Sequence, residues 1–153
     1  MACSPALDWR EIRISAADIR MAFPCKPEVA QHEATAAGPA MGLAVCTAAG
    51  QRFSLAWADV QDPRLLEPAV KQMRDTLAAK LGHGTPSERP GGMNLRGATP
   101  MAGSGVYELQ GAPQQARWAV FARGLRVYRV LQQGDRIDDA AWSSFLDSVS
   151  FAP

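Results

Sequence analysis

Long apolar runs are absent from this sequence. Although 47% of its 153 residues are hydrophobic, no run approaches the roughly 18 apolar residues that cross a membrane. Near the N-terminus, Ser4, Pro5, Asp8 and Arg10 interrupt the apolar stretch that a secretory signal needs. The length suits one domain with a sizeable core, and so the composition predicts a folded globular protein rather than a disordered one.

An excess of charge of either sign is also lacking. The chain has 16 basic and 15 acidic side chains, which leaves a formal net charge of +1. Domains that bind nucleic acids are usually strongly basic. We therefore expect neither a nucleic-acid partner nor an acidic substrate attracted by overall charge.

Residues suited to metal binding or catalysis are few. His32 and His83 are the only histidines, and no His-x-x-x-His or Cys-x-x-Cys pair is present to start a zinc site. Ser104 lies between two glycines, but a nucleophile elbow requires Gly-x-Ser-x-Gly between a strand and a helix. We therefore expect no metal, no cofactor and no enzymatic activity, with a small hydrolase as a remote alternative.

The sequence has three cysteines, an odd number. Cys25 and Cys46 lie in apolar segments, and pairing them would close a loop of roughly twenty residues and stabilise the fold by about 3 kcal/mol. The alternative is a pair of reduced, buried cysteines in a cytosolic protein. A hairpin centred on Gly38-Pro39 would place Cys46 opposite a residue near Gln31, which weighs against the pairing.

The third cysteine, Cys3, lies close to the N-terminus. Met1-Ala2-Cys3-Ser4 is similar to the end of a bacterial lipoprotein signal, with a small residue before the cysteine and a serine after it. We expect residues 1–6 to form a flexible tail that carries a lipid on Cys3, in a gene product whose leader precedes this sequence. The alternative is an incidental cysteine near a frayed end.

Alternating apolar and polar residues predict strands in the first part of the chain. In residues 8–15, Ile12 and Ile14 lie on one side and charged residues on the other. Further strands are predicted over residues 19–23, 28–36, 42–48 and 52–60. Pro24 and Pro27 cannot donate to a central ladder, and so the strand that reaches Phe23 ends there or runs along an edge.

Helical spacing of apolar residues is clearest over residues 62–81. One apolar stripe is formed by Leu66, Val70, Met73, Leu77 and Leu81. Asp62 suits the N-cap, and Pro63 suits the first helical position. Pro68 in a helix interior would remove a hydrogen bond, and so either the first turn is distorted or the regular helix begins near Pro68.

The second half of the chain is predicted to return to strands. We expect loops over residues 82–105 with one short strand at 93–97, and then strands at 106–110, 116–122 and 125–131. The last two strands form a hairpin around Arg123-Gly124, and Asp138 caps a final helix that buries Trp142 and Phe145. Strands and helices without strict alternation favour an antiparallel sheet with helices packed on it.

Two segments carry a resemblance to a known group. Phe23-Pro24-Cys25-Lys26-Pro27 and the C-terminal Phe145-Leu146-Asp147-Ser148-Val149-Ser150-Phe151, with the strand meander and the mid-chain helix, resemble small bacterial envelope proteins of the PsbP-like fold group. The resemblance implies an α+β fold over residues 7–153, an α-β-α sandwich with a twisted antiparallel sheet of about six to eight strands. It also implies the disulfide between Cys25 and Cys46, and binding or accessory roles rather than catalysis.

Basic residues crowd the last predicted hairpin. They include Arg117, Arg123, Arg126 and Arg129. A cluster of this kind suits a face that contacts an anionic partner. The alternative is a solvated sheet face or an edge that charge protects against aggregation.

These patterns together predict a non-enzymatic periplasmic binding or accessory protein. We expect a monomer that contacts the membrane only through an N-terminal lipid, with an unknown protein or small molecule as its partner. The alternative is a cytosolic protein-binding module or chaperone of the same fold. Reduced cysteines would favour that alternative.

Overall fold

The computed structural model describes residues 7–36, 38–81, 85–110 and 114–152 of the chain. The described residues form ten strands and two α-helices. The strands are β1 Arg10–Ile14, β2 Ile19–Phe23, β3 Glu28–His32, β4 Met41–Ala48, β5 Gln51–Asp59, β6 Ser87–Arg89, β7 Gly105–Leu109, β8 Gln115–Arg123, β9 Arg126–Gly134 and β10 Ser150–Phe151. The helices are α1 Leu66–Leu81 and α2 Asp139–Asp147. Within these ranges no helix is long and apolar enough to cross a membrane.

The strands pair antiparallel in two separate sheets. The large sheet has seven strands in the order β3-β4-β5-β9-β8-β7-β6, and the small sheet has three in the order β1-β2-β10. The predicted α+β class is confirmed, but ten strands are present rather than the expected six to eight. The difference arises because β1 pairs with β2, and β2 pairs on its other side with β10 near the end of the chain, instead of joining the large sheet.

The large sheet lies between two layers. We call the side toward the small sheet and α2 the inner face, where Phe53 packs against Phe145 and Phe145 against Phe23. We call the side toward α1 the helix face, where Trp118 and Val70 belong to a second buried cluster. This arrangement is the sandwich that the sequence predicts, with strands as well as a helix in one outer layer.

Helix α1 begins as the residues around Asp62 predict. The Asp62 carboxylate accepts a hydrogen bond of 2.9 Å from the backbone N–H of Arg64, and a short 3₁₀ turn over Pro63–Leu65 leads into the helix. Pro68 is the third residue of α1, where an α-helix leaves the backbone N–H without a partner, and so the proline removes no helical hydrogen bond. The start of the regular helix near Pro68 is confirmed.

The C-terminal segment also folds as predicted. The Asp138 carboxylate accepts a hydrogen bond of 3.1 Å from the backbone N–H of Ala141 and caps α2. The buried residues of this helix are Ala141, Trp142, Phe145 and Leu146. After α2, β10 pairs with β2 and holds the Phe151 ring 5.9 Å from that of Phe121.

The loop between α1 and β7 differs from its prediction. The strand expected at residues 93–97 is wrong, because the strand in this region is β6, which pairs with β7. Gly91 and Gly97 adopt positive φ angles of 63° and 93°, so the chain turns at both ends of the expected strand. Met93 and Leu95 instead pack as partly buried side chains against the core of the inner face.

The predicted disulfide is confirmed. Cys25 and Cys46 are bonded, with their Cα atoms 5.9 Å apart. The predicted hairpin centre at Gly38-Pro39 is wrong, because Thr35 and Gly38 already exchange backbone hydrogen bonds of 2.9 and 3.2 Å. Because the turn that joins β3 to β4 lies earlier in the chain than predicted, Gln31 pairs with Gly42. This pairing therefore brings Cys46 alongside the segment that precedes β3, where Cys25 lies.

Candidate functional site

The four arginines of the last hairpin do not form one surface. Arg117, Arg123 and Arg126 occupy inner-face positions of β8 and β9, whereas Arg129 occupies a helix-face position. Arg123 and Arg126 lie directly opposite each other at the end of the hairpin. Arg117 is six residues earlier in β8, which is roughly 20 Å along the strand. The structure therefore brings two of the four together, and contact with an anionic partner stays a prediction.

Arg117 is the buried centre of an ion-pair network. Its guanidinium lies 3.0 Å from the Glu108 carboxylate and 2.8 Å from the Asp139 carboxylate, and its side chain is only 8% exposed. The hydrogen bond from Arg117 holds the pKa of Asp139 below its usual range. Arg89 also reaches Glu108, at 3.2 Å. These partners link β6, β7 and β8 to the start of α2, so Arg117 has a structural role.

Arg126 and Arg123 are also held by the protein itself. Arg126 donates to Asp59 at 2.5 Å and to Asp18 at 3.2 Å, and its hydrogen bond to Asp59 raises the pKa of the guanidinium. The Arg123 guanidinium lies 4.5 Å from the centre of the Phe151 ring. The cation–π contact and the two carboxylates leave little unneutralised charge at this end of the hairpin.

Arg129 differs from these three. Its Nε atom is buried without a hydrogen-bond partner in the described part of the chain, and Arg129 joins none of the ion pairs formed there. Its cross-strand neighbours are Ala56 of β5 and Val120 of β8, which offer no charge. Removal of the guanidinium from water lowers the pKa of Arg129.

A groove of about 530 Å³ lies beside Arg129, between α1 and the sheet. It exists because α1 packs over β8 and β9 and leaves the helix face of β4 and β5 without a helical cover. Its floor includes Ala56 and Ala58 of β5, and its walls include Met41 of β4 and Met73 of α1. We call this space the α1 groove.

The sequence of β5 produces the low floor of the α1 groove. Large side chains alternate with small ones along this strand: Phe53, Leu55 and Trp57 fill the inner face, and Ser54, Ala56 and Ala58 lie on the helix face. The opposite wall is formed by Leu65 of the 3₁₀ turn and by one flank of α1 at helical spacing, with Ala69, Gln72, Thr76 and Lys80. The alternation of large and small residues is the signal by which the sequence indicates this site, and our sequence analysis missed it.

The chemistry available in the α1 groove is that of binding. Its lining is largely apolar, with the cations Arg129 and Lys80, and no acidic residue appears among its described lining residues. No group of three or more metal-ligating side chains occurs in the residues that the structure describes. His32 is exposed in β3, while His83 and the lipidation candidate Cys3 lie outside the described residues.

Comparisons with known proteins do not assign a function. No protein-family model matches the chain, and no curated protein matches it. The resemblance to the PsbP-like fold group therefore stays a prediction from the residues. The function has to be inferred from the chemistry of the α1 groove and of the disulfide.

Proposed function

We propose that this chain is a non-enzymatic binding protein of the bacterial periplasm, and that its ligand occupies the α1 groove. The observation that carries the proposal is the incomplete cover of the helix face, which leaves an apolar groove beside Arg129, a half-buried arginine whose Nε atom is shut off from water. Small-molecule sites are typically concave, mostly apolar and supplied with a few polar groups that fix orientation. The α1 groove has each of these properties.

The volume and the exposed apolar rim support this proposal. About 530 Å³ falls within the range of roughly 300 to 1,000 Å³ that ligand sites usually occupy. Met41 and Leu65 line the groove and are 41% and 50% exposed. Apolar side chains that cluster around a concave surface mark a binding site more often than an ordinary surface.

The disulfide supports the compartment. A Cys25–Cys46 bond is present, and disulfides persist outside the reducing cytosol. Attachment to the membrane through Cys3 is part of the same proposal. The proposed protein is therefore a periplasmic lipoprotein that binds its ligand without chemical change.

Binding in the α1 groove is tested with Nile red, an uncharged apolar dye whose fluorescence rises when it leaves water. We expect the full chain to raise the dye's fluorescence, and we expect Ala56→Trp to abolish the rise because the indole fills the floor. Ala48→Trp is the matched control, because Ala48 is a partly buried residue of β4 outside the groove. Equal fluorescence with both variants would place the dye elsewhere.

The compartment is tested separately in cells that produce the chain naturally. Thiols are blocked with N-ethylmaleimide before lysis, and the peptides that contain Cys25 and Cys46 are then analysed by mass spectrometry without reduction. We expect the two peptides to be linked and unmodified. Alkylation of both cysteines would favour the cytosolic alternative instead.

A further inference from the structure

We propose that the ligand of the α1 groove is a single-chain carboxylic acid, with its carboxylate on Arg129 and its hydrocarbon chain along Ala56, Ala58 and Met73. The proposal rests on the binding function given above and names the class of ligand. It follows from the combination of one desolvated cation with an apolar trough beside it. Neither feature alone identifies an acid with a hydrocarbon chain.

The positive charge of Arg129 is paired with no carboxylate of the described residues. A guanidinium carries five N–H donors in a rigid planar fork that matches a carboxylate, and it stays protonated at any physiological pH. In Arg129 the Nε atom is shut off from water and lacks an acceptor. Arg129 lines the groove, and so a carboxylate that enters it would bring the opposite charge to the guanidinium and accept from its accessible N–H groups.

The other arginines of this hairpin show what Arg129 lacks. Arg117 has Glu108 and Asp139 within 3.0 Å, and Arg126 has Asp59 at 2.5 Å. Each of these cations is neutralised by carboxylates of the same chain. The residues directly opposite Arg129 on both neighbouring strands are apolar. The described residues therefore provide no carboxylate for Arg129, and a ligand could provide one.

The rest of the groove lining is apolar apart from Gln72, Thr76 and Lys80. Ala56 and Ala58 lower the floor along β5, and Met73 offers a flexible wall that adapts to an apolar chain. Lys80 is exposed in the last turn of α1, and so it adds positive charge at the rim. The groove therefore favours an apolar molecule with negative charge at one end and disfavours cations.

Methionine methyl groups provide local reporters for the test. Met41 and Met73 line the α1 groove, whereas Met21 is fully buried on the inner face and Met93 packs against that same core. The full chain with isotope-labelled methionine methyls is titrated by NMR with laurate and with dodecanol, below the concentration at which laurate forms micelles. We expect laurate to shift Met41 and Met73 but neither inner-face methionine.

The strength of the carboxylate contact is read from the difference between the two probes. Because a hydrogen bond to a charged group is worth more than a neutral one, we expect laurate to bind about tenfold more tightly than dodecanol. Arg129→Gln should reduce the affinity for laurate to that for dodecanol. Arg123→Gln should leave it unchanged, because Arg123 is exposed and lies outside the groove.

The possible failures separate this proposal from the binding function. Equal affinities of the unmodified chain for laurate and dodecanol at Met41 and Met73 would overturn acid recognition and leave the groove as a binding site. Shifts at Met21 and Met93 as well as at Met41 and Met73 would indicate detergent action and overturn the proposal. If neither probe shifts Met41 or Met73 and Nile red does not bind, both proposals fail. The comparison of the two probes needs no variant, and so it holds even if Arg129→Gln does not fold.

Discussion

Both faces of the large sheet carry arginines, but the two faces are covered differently. On the inner face, the small sheet and α2 bury the aromatic core, and Arg117 and Arg126 are paired with carboxylates. On the helix face, α1 covers β8 and β9 but not β4 and β5, and Arg129 pairs with no carboxylate of the described residues. What packs over a sheet face, rather than the residue type, therefore decides whether an arginine has a structural role or is available to a ligand.

The packing of the inner face shows the same contrast in its apolar residues. Phe145 is fully buried, and its ring lies 5.2 Å from those of Phe23 and Phe53 and 6.4 Å from that of Trp9. Trp9 lies just before β1, and the other three rings belong to β2, β5 and α2. Their contacts therefore join the two sheets and the C-terminal helix. On the helix face, Met73 borders the groove and is only partly buried.

The largest expected effect comes from removing Phe145. We expect Phe145→Ala to lower the free energy of unfolding by about 4 kcal/mol, because the ring leaves a cavity among three other aromatic rings. Met73→Ala on the helix face should lower it by about 1 kcal/mol, since one side of Met73 already borders open space. Both values are measured by urea denaturation. Equal losses would mean that the two faces are packed equally well.

The second prediction compares two arginines directly. Arg117→Met should lower the free energy of unfolding by about 3 kcal/mol, because Glu108, only 15% exposed, loses its buried partner. Arg129→Met should leave stability unchanged or raise it slightly, because it replaces a desolvated cation that has no ion-pair partner in the described residues. Urea denaturation at neutral pH measures both. A large loss from Arg129→Met would show that Arg129 is needed for the fold rather than for a ligand.

Local patterns in the sequence were enough to predict most elements. The alternation in β2 and β5 and the helical spacing in α1 and α2 depend on neighbours within a few residues, and each of these elements is present. The pairing of Cys25 with Cys46 was also predicted, since few cysteines were available. The position of the β3–β4 reversal was not, because the proline after Gly38 is a strong local turn signal that the pairing of Thr35 with Gly38 overrides.

The candidate site could be predicted only in part, because it depends on contacts between distant residues. The sequence shows the arginines, but not that Asp18 and Asp59 neutralise Arg126 from 108 and 67 residues away. The sequence shows that residues 56 and 58 are alanines, but it does not show that α1 leaves Ala56 and Ala58 uncovered. Short polar β6 was missed because three exposed residues have too little periodicity to be recognised.

The smallest expected effect concerns Tyr128, which ties the inner face of β9 to the small sheet's hairpin. The phenol donates a hydrogen bond of 2.8 Å to the backbone carbonyl of Ala17, and burial raises the pKa of Tyr128 above its ordinary value of 10.0. At neutral pH, Tyr128→Phe should lower the free energy of unfolding by about 1 kcal/mol, because it removes this hydrogen bond.

The sign of the pH dependence follows from the raised pKa. Above the ordinary value of 10.0 the unfolded chain loses the phenolic proton while the folded chain keeps it, so the folded state loses stability as the pH rises until the folded phenol also ionises. The stabilising contribution is complete below that value, and the difference between the parent and Tyr128→Phe should shrink above about pH 10. Urea denaturation from neutral pH upward measures this change, with Tyr107→Phe as the control that removes the other tyrosine. A constant difference between the parent and Tyr128→Phe across this range would mean that burial of the phenol does not favour its neutral form, and that the inner face is more open to water at Tyr128 than its 2% exposure indicates.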